Sequence, residues 1–382
     1  MKRTFSGIKP TGHMTLGNYL GALRRWVEVD QHQSDALFSV VDLHSLTVEH
    51  DPARLRRLSL QAATLMLAAG LDPRRCTVFV QSQVSEHTRL SYLLECTATD
   101  GELRRMIQYK EKSAAARGAG AGVRLSLLTY PVLMAADILA HGADEVPVGE
   151  DQTQHVELTR DLAVRFNQRY GHVLTVPRAT HPPVAARVMD LQDPGSKMGK
   201  SHASGAGIVY LLDDADAVRK KIMRAVTDSG HEVAYDREHS PGIANLLEIL
   251  SACTGRSPDA EAGAYASYGA LKKDTADAVV ELLRPLRERH AELAADRGYV
   301  DGVLREGAER ARAGARPRVD AAFAAVGLRP GSGRGPAPPP RSRPAGAVSR
   351  CRRRVPCCGR GRLRGRRSGR PAHRGSPVRG WR

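Results

Sequence analysis

The sequence contains no uninterrupted apolar run approaching the roughly 18 residues that a membrane-crossing helix needs. Its opening residues, Met1-Lys2-Arg3 and then Phe5-Ser6-Gly7-Ile8, hold no apolar segment of signal-peptide length. Both absences lead us to expect a cytoplasmic protein with no membrane partner. Cysteine is scarce, at six residues in 382. Cys76, Cys96 and Cys253 are scattered, as expected of reduced thiols in a cytosolic enzyme. Cys351, Cys357 and Cys358 crowd near the C-terminus without a second set of ligands at zinc spacing, so no metal site is expected. No internal repeat and no P-loop is present.

Acidic residues are missing from one end. Between Arg329 and Arg382 there are 17 arginines, no lysine, no Asp or Glu, and hardly an aromatic. The net charge of +17 is therefore confined to this tail, and residues 1–328 carry 41 basic and 41 acidic side chains. Overall charge consequently says little about what the body binds. A tail so poor in apolar residues cannot offset its chain entropy and is expected to be disordered. One reading makes it a basic arm gripping RNA backbone. The other is that it is unselected: residues with G- and C-rich codons dominate it, as when GC-rich DNA is translated past a lost stop or out of frame. The break in composition favours the second.

What is present alternates strand and helix. Thr4–Ile8 reads as a short buried strand broken by Lys9-Pro10-Thr11-Gly12, and a helix pattern follows with Leu16, Tyr19, Leu20, Leu23, Trp26 and Val27. Ala36–Val41 is a second strand. Asp51-Pro52 starts a long helix through Leu58 and Leu65 to Gly70, and Thr77–Gln81 is a third strand. A helical stretch over about 86–143 interrupts, carrying the polar run Gln108–Lys112. Glu145–Val148 resumes a strand, which leads through Gly149-Glu150-Asp151 into a helix with Leu158, Leu162, Phe166 and Tyr170. From Leu211 onward the pattern is helical, with Ala215, Val218, Ile222 and Val226 on one stripe. The expected fold is therefore α/β, a Rossmann-type doubly wound parallel sheet with a helical insertion, followed by an all-helical region. We expect domains at 1–205 and 206–328, with the tail at 329–382.

Two segments suggest chemistry from their residues alone. In Gly7–Gly12 followed by Thr15-Leu16-Gly17-Asn18, a strand runs through a Gly/Pro turn into a helix N-terminus, where backbone N–H groups and the helix dipole can hold phosphate. Gly17 lacks the Cβ that would keep an adenine ring off the backbone. An ordinary strand–turn–helix connection would look much the same. In Lys197-Met198-Gly199-Lys200-Ser201, after Asp193-Pro194-Gly195, two neighbouring lysines on a loop can follow charge onto a leaving polyphosphate. A short lysine-rich run is, taken singly, usually a solvated surface.

Together these segments resemble the HIGH and KMSKS signatures of class I aminoacyl-tRNA synthetases. Thr15–Asn18 is similar to the T-x-G-N form found in the tryptophanyl branch. Gly149-Glu150-Asp151-Gln152 with His155 resembles that branch's third ATP-side motif, and Leu133–Leu139 its amino-acid pocket. The resemblance runs in order and at family spacing from Phe5 to about Leu328.

It implies that Asp137 accepts the indole N–H of L-tryptophan. Phe5, Gly7, His44, Tyr130, Met134, Ile138, Val146, Val148 and Gln152 would line the pocket. An apolar slot with one buried acceptor fits an indole and rejects rings that leave the acceptor unpaired. On periodicity alone Asp137 would instead be a carboxylate bonded within its helix environment, and His44 a satisfied structural histidine. For ATP, the resemblance implicates Lys9, Pro10, Thr11, Gly17, Asn18, Gly149, Glu150, Asp151, Val188 and the loop residues Lys197, Met198, Gly199, Lys200 and Ser201. Lys197, Lys200, Thr15 and Asn18 would be the catalytic set, with Mg²⁺ on the phosphate oxygens. Partners would be ATP, L-tryptophan and its tRNA, with the helical half reading the anticodon and two copies forming a homodimer. Arg219-Lys220-Lys221 with Arg224 is one candidate phosphate contact, though equally the solvated face of a helix.

Two positions depart from the family. Lys9 stands where Gln is usual, and Gly199 where Ser is usual. Either Lys9 is neutral drift, or it would tune ATP binding or disfavour amide-bearing mimics of tryptophan, which would make this an auxiliary copy with altered inhibitor sensitivity. Gly199 would loosen its loop. Competing readings are a tyrosyl-tRNA synthetase and a non-catalytic RNA-binding paralogue. Val146-Pro147-Val148 and the Asp137 segment weigh against the first, and the retained loop lysines against the second.

Overall fold

The computed structural model describes residues 2–118, 120, 122–149, 152–180, 188–199, 205–230 and 232–329. Five parallel strands form one sheet in the order β3-β2-β1-β4-β5. β1 is Arg3–Ile8, β2 Asp35–Val40, β3 Thr77–Val80, β4 Glu145–Pro147 and β5 Arg178–Thr180. β1 and β2 run in register from Arg3 beside Asp35 to Ile8 beside Val40. Helices cover the sheet, so β2 from Ala36 to Val40 is buried on both sides, which explains its unbroken apolar run.

The connections follow the residues that start and stop them. Between β1 and β2, α1 (Leu16–Asn18) runs through two widened helical turns, Tyr19–Leu23 and Trp26–Asp30, into α2 (Gln31–Gln33). Leu16, Leu20, Leu23 and Trp26 are buried there, and Trp26 stacks on Phe38 of β2 at 4.9 Å. α3 (Pro52–Ala68) crosses from β2 to β3. Asp51 caps it, accepting the Arg54 N–H at 2.6 Å, and Pro52 fits the first turn, which lacks an N–H partner in any case.

The helical insertion comprises α4 (Ser85–Glu95), α5 (Asp100–Arg104), α6 (Ile107–Gly118) and α7 (Leu125–His141). α8 (Thr153–Tyr170) then joins β4 to β5. The sequence reading did not anticipate β5, a three-residue edge strand that begins right after Pro177 and is largely unburied. The remainder is α9 (Ala215–Met223), α10 (Pro241–Thr254), α11 (Pro258–Ala262), α12 (Tyr268–Ala295) and α13 (Arg297–Ala325). The expected stripe through Val226 stops early. α9 ends at Met223, Val226 is exposed, and its N–H leaves the helix to donate to the Leu191 carbonyl at 2.7 Å.

The described residues lie within one compact unit. Its largest apolar cluster passes from Ile8 and Phe38 through Leu65 and Met66 to Leu247, Val279 and Leu283, so it runs without a break across position 205. A second links the helical insertion to Ala315 and Val319 of α13, and a third joins Phe5, Phe79, Ile138 and Val146 to Ala308 and Ala311. α13 lies flush on the sheet: a Cβ on Gly307 would stand 1.8 Å from the Val78 carbonyl oxygen. The expected disorder of the tail concerns residues outside the described ones, apart from Arg329. No described helix is long and apolar enough to cross a membrane.

Candidate active site

Ligands of open parallel sheets bind beyond the carboxyl ends of the strands, and the candidate residues gather there. After β1 the chain turns through Gly7–Gly12 to Thr15, the cap of α1. The Thr15 hydroxyl accepts the Asn18 N–H at 3.3 Å, and the Asn18 side-chain oxygen accepts the Thr15 N–H at 3.1 Å. This reciprocal box holds the turn shut. Gly17 faces the lysine loop: a Cβ there would lie 3.6 Å from the Met198 carbonyl oxygen and from the Val188 side chain. The glycine turn and the lysine loop therefore meet across Gly17.

The base of that loop is a narrow hairpin. Met198 N–H donates to the Val188 carbonyl at 3.0 Å, and Asp190 N–H to the Ser196 carbonyl at 2.9 Å. Asn245 of α10 grips Met189 from the side, its oxygen accepting the Met189 N–H at 2.9 Å and its nitrogen donating back to the Met189 carbonyl at 3.1 Å. Met198, 3% exposed, anchors the loop in the core, while Lys197 beside it is exposed. Glu150, Asp151, Lys200 and Ser201 lie outside the described residues.

Asp137 of α7 is 1% exposed and is approached from three other segments. His44 Nε2–H donates to Oδ2 at 2.9 Å, and Gln81 Nε2 donates to both oxygens at 2.8 Å. His87 Nδ1 of α4 stands 2.9 Å from Oδ1, close enough for an ion pair though poorly aligned as a hydrogen bond. Burial pushes the carboxyl toward the neutral acid, but His87 and His44 overcome this and hold it well below the usual carboxylate range. An ionised carboxylate is thus kept buried by a nest of polar side chains.

A polar thread joins this carboxylate to the glycine turn. Lys9 Nζ donates to the Thr47 hydroxyl at 3.2 Å, and that hydroxyl donates to the His44 carbonyl at 2.9 Å. Burial and the neighbouring Lys112 charge lower the Lys9 amine to about 8. Tyr130 stands edge-on to His44, with ring centres 6.2 Å apart, and its hydroxyl meets His155 Nε2 at 2.8 Å. Half-buried Met134 and Val148 pack on the cluster that holds fully buried Ile138, Phe5 and Val146.

The chain resembles known proteins over most of its length. The family model for class I tRNA synthetases (W and Y) matches residues 1–284. The chain belongs to that family. Tryptophan--tRNA ligase 1 of Streptomyces avermitilis is 77% identical over 328 residues, which is 86% of this chain and 99% of that relative. The match exhausts the relative's length and leaves unmatched a stretch as long as the arginine-rich tail. The tryptophanyl-tRNA synthetase of Mycoplasma pneumoniae superposes with a TM-score of 0.79 at 36% identity, covering 86% of this chain and 98% of that one. The tryptophanyl-tRNA synthetase of Campylobacter jejuni, complexed with ADP and tryptophan, superposes with a TM-score of 0.73 at 31% identity over 85% and 100%.

Within this synthetase frame, hydrogen bonds and ring contacts join Lys9, His44, Asp137 and Tyr130, and three expectations need qualification. Thr15 was expected in the catalytic set, but it is fully buried and its hydroxyl accepts the Asn18 N–H as the α1 cap, so it shapes the turn and offers a ligand no exposed face. Phe5, expected in the pocket lining, is 4% exposed and stacks on His141, behind the slot. In the basic stretch of α9, Arg219 pairs with Asp277 and Lys221 with Asp213, which leaves Lys220 and Arg224 as its exposed cations without a described ion pair. Sequence reasoning missed Gln81 and His87 entirely. Gln81 had a signal, being the first residue past β3 on the ligand side of a parallel sheet. His87 had none.

Proposed function

We propose that this chain, an aminoacyl-tRNA synthetase by family, charges tRNA with tryptophan in two steps. Identity of 77% over 328 residues, 99% of Tryptophan--tRNA ligase 1, carries this reading. The buried ionised Asp137 gives it physical content, because it suits a ligand ring bearing one N–H.

In the first step the tryptophan carboxylate attacks the α-phosphorus of ATP in line. The P–O bond to the β-phosphate breaks, giving tryptophanyl-adenylate and pyrophosphate. The nucleophile is already ionised at neutral pH, so the protein need supply no base. Alignment and charge stabilisation remain its tasks. ATP arrives with Mg²⁺ on its phosphates. Adenine would lie against Gly17 between Val188 and Met198, with Asn18, Lys9, Pro10 and Thr11 along the turn and Gly149, Glu150 and Asp151 opposite. Lys197 and Lys200 would follow the departing pyrophosphate, on a loop whose base is held by Met198 and Asn245. In the second step the terminal adenosine 2′-OH of tRNA attacks the acyl carbon and AMP leaves. The helices beyond position 206 would read the anticodon, with tRNA bridging a homodimer. Lys9 would place a cation beside both pockets. That this makes an auxiliary copy with altered inhibitor sensitivity requires Lys9→Gln to change inhibitor constants.

Amino-acid-dependent exchange of pyrophosphate into ATP tests the whole reading. Exchange with tryptophan supports it; exchange with tyrosine, or none from folded protein, overturns it.

A further inference from the structure

Behind Asp137 lies a pair of histidines that the two-step reaction does not use. His87 of α4 and His141 of α7 are 0% and 1% exposed, and their Nε2 atoms stand 2.8 Å apart. His141 follows Asp137 by four residues, hence on the same face of α7. Phe5 of β1 stacks on His141 with ring centres 5.7 Å apart, and Phe79 of β3 meets both imidazoles edge-on at 5.9 and 5.6 Å. Arg3 fixes the end of the helix from below, donating to the His141 carbonyl at 2.9 Å. Two imidazoles in an aromatic core cost desolvation that a Phe or Leu pair would avoid, so their arrangement calls for a use.

The chemistry admits one proton order when both rings are neutral. His87 Nδ1 faces Asp137 Oδ1 at 2.9 Å, and a lone pair there would repel the carboxylate, so Nδ1 carries the proton. Its Nε2 is then an acceptor, and His141 Nε2 must be the donor across the 2.8 Å contact. Burial, with His87, Arg3 and Arg318 adding, lowers His141 well below its ordinary range, so its ring is the neutral form that this order requires. The relay addresses Oδ1 from behind. Oδ2 accepts from His44, which meets Tyr130 edge-on, and Gln81 donates to both oxygens.

We infer that His87 and His141 are positioning residues: their proton relay sets the rotation of the Asp137 carboxylate, and thereby how strongly the enzyme demands a ring N–H in its amino acid. This rests on the reading that Asp137 accepts the indole N–H. With His141→Phe, His87 Nε2 loses its donor and the imidazole is no longer held against Oδ1. The carboxylate then keeps only His44 and Gln81 and is free to turn. His141→Gln restores a donor at nearly the same place.

The test compares tryptophan with its analogue in which sulfur replaces the ring N–H, in pyrophosphate exchange by the full-length enzyme. The ratio of kcat/KM for the two should fall about tenfold in His141→Phe, the worth of one well-placed hydrogen bond to a charged group. It should recover in His141→Gln, while the KM for ATP moves by less than about twofold. His87→Leu reads the same contact from its other end should His141→Phe not fold. An unchanged ratio in folded His141→Phe or His87→Leu overturns the inference. A wild-type enzyme that uses both substrates equally overturns the reading of Asp137 itself, and the inference with it.

Discussion

Two glycines of α13 should respond to alanine with opposite signs. Gly307 and Gly314 lie seven residues apart on one helix, and neither has a positive φ, so alanine strains neither backbone. Helix preference alone favours alanine at each by about 1 kcal/mol. At Gly314 nothing stands within 4 Å of the added Cβ, and that gain is realised in full. At Gly307 the added Cβ would lie 1.8 Å from the Val78 carbonyl oxygen and 2.8 Å from its carbon. Contact normally begins near 3.5 Å, so helix and strand must part by about 1.5 Å. The obstacle is the backbone of β3, which cannot rotate aside. Overpacking of this kind costs about 1–3 kcal/mol, and we take the upper end. Against the helix gain, a net loss of about 2 kcal/mol remains.

At about 1.5 °C per kcal/mol for a folded body of this size, Gly307→Ala should melt about 3 °C below the wild type. Gly314→Ala should melt about 1–2 °C above it. Thermal melts followed by circular dichroism decide the matter. The same displacement should reach the pocket. Arg312 of α13 donates to the Gln83 carbonyl at 2.5 Å, two residues beyond the Gln81 that holds Asp137. The tryptophan KM of Gly307→Ala should therefore rise, while that of Gly314→Ala stays put. A Gly307→Ala enzyme that melts at or above the wild type would refute the flush seating of α13 and this argument with it.

Other expectations follow from the site. Asp137→Asn keeps the shape but places an amide NH₂ among the donors from His44, Gln81 and His87; losing one charge-assisted bond of about 1.5–3 kcal/mol should lower kcat/KM for tryptophan about 10- to 150-fold in pyrophosphate exchange, and wild-type activity would remove Asp137 from the pocket. The Lys9 amine, lowered to about 8, is charged at pH 7 and loses its proton as pH rises through 8; KM for ATP should rise between pH 7 and 9, and Lys9→Gln should flatten that profile, so a slope that persists in the variant assigns it to another group. Deleting residues 329–382 should leave aminoacylation nearly unchanged, and a large loss of tRNA affinity would show the tail to be a working RNA arm.

The legible parts of the fold were those where one local signal decided the matter. Asp51-Pro52 announced α3 by cap chemistry, and β1, β2 and β3 announced themselves as apolar runs bounded by turns. β5 had neither advantage. It is three residues long, lies at the sheet edge and is largely unburied, so its residues answer to no two-sided core. The end of α9 was hidden for a different reason: Val226 keeps the four-residue spacing, but the Leu191 carbonyl, 35 positions earlier in the chain, takes its N–H. A long-range hydrogen bond outweighed a local period.

The same distinction separates the two halves of the site. The glycine turn and the lysine loop are contiguous segments, and their residue types speak in sequence. The environment of Asp137 is assembled from His44, Gln81 and His87, each some 50 to 90 positions away in the chain, and a buried polar side chain reads in sequence like a surface one. Thr15 shows the limit from the other side. Its hydroxyl is the right kind of group, in the right motif, for a phosphate or ribose contact. The fold nonetheless commits that oxygen to the Asn18 N–H and buries the residue completely. A motif states which atoms are present; packing and hydrogen bonding decide which of them remain free to meet a ligand. For this turn the backbone at Gly17 is what stays open, because it has no side chain to fill the gap between Val188 and Met198.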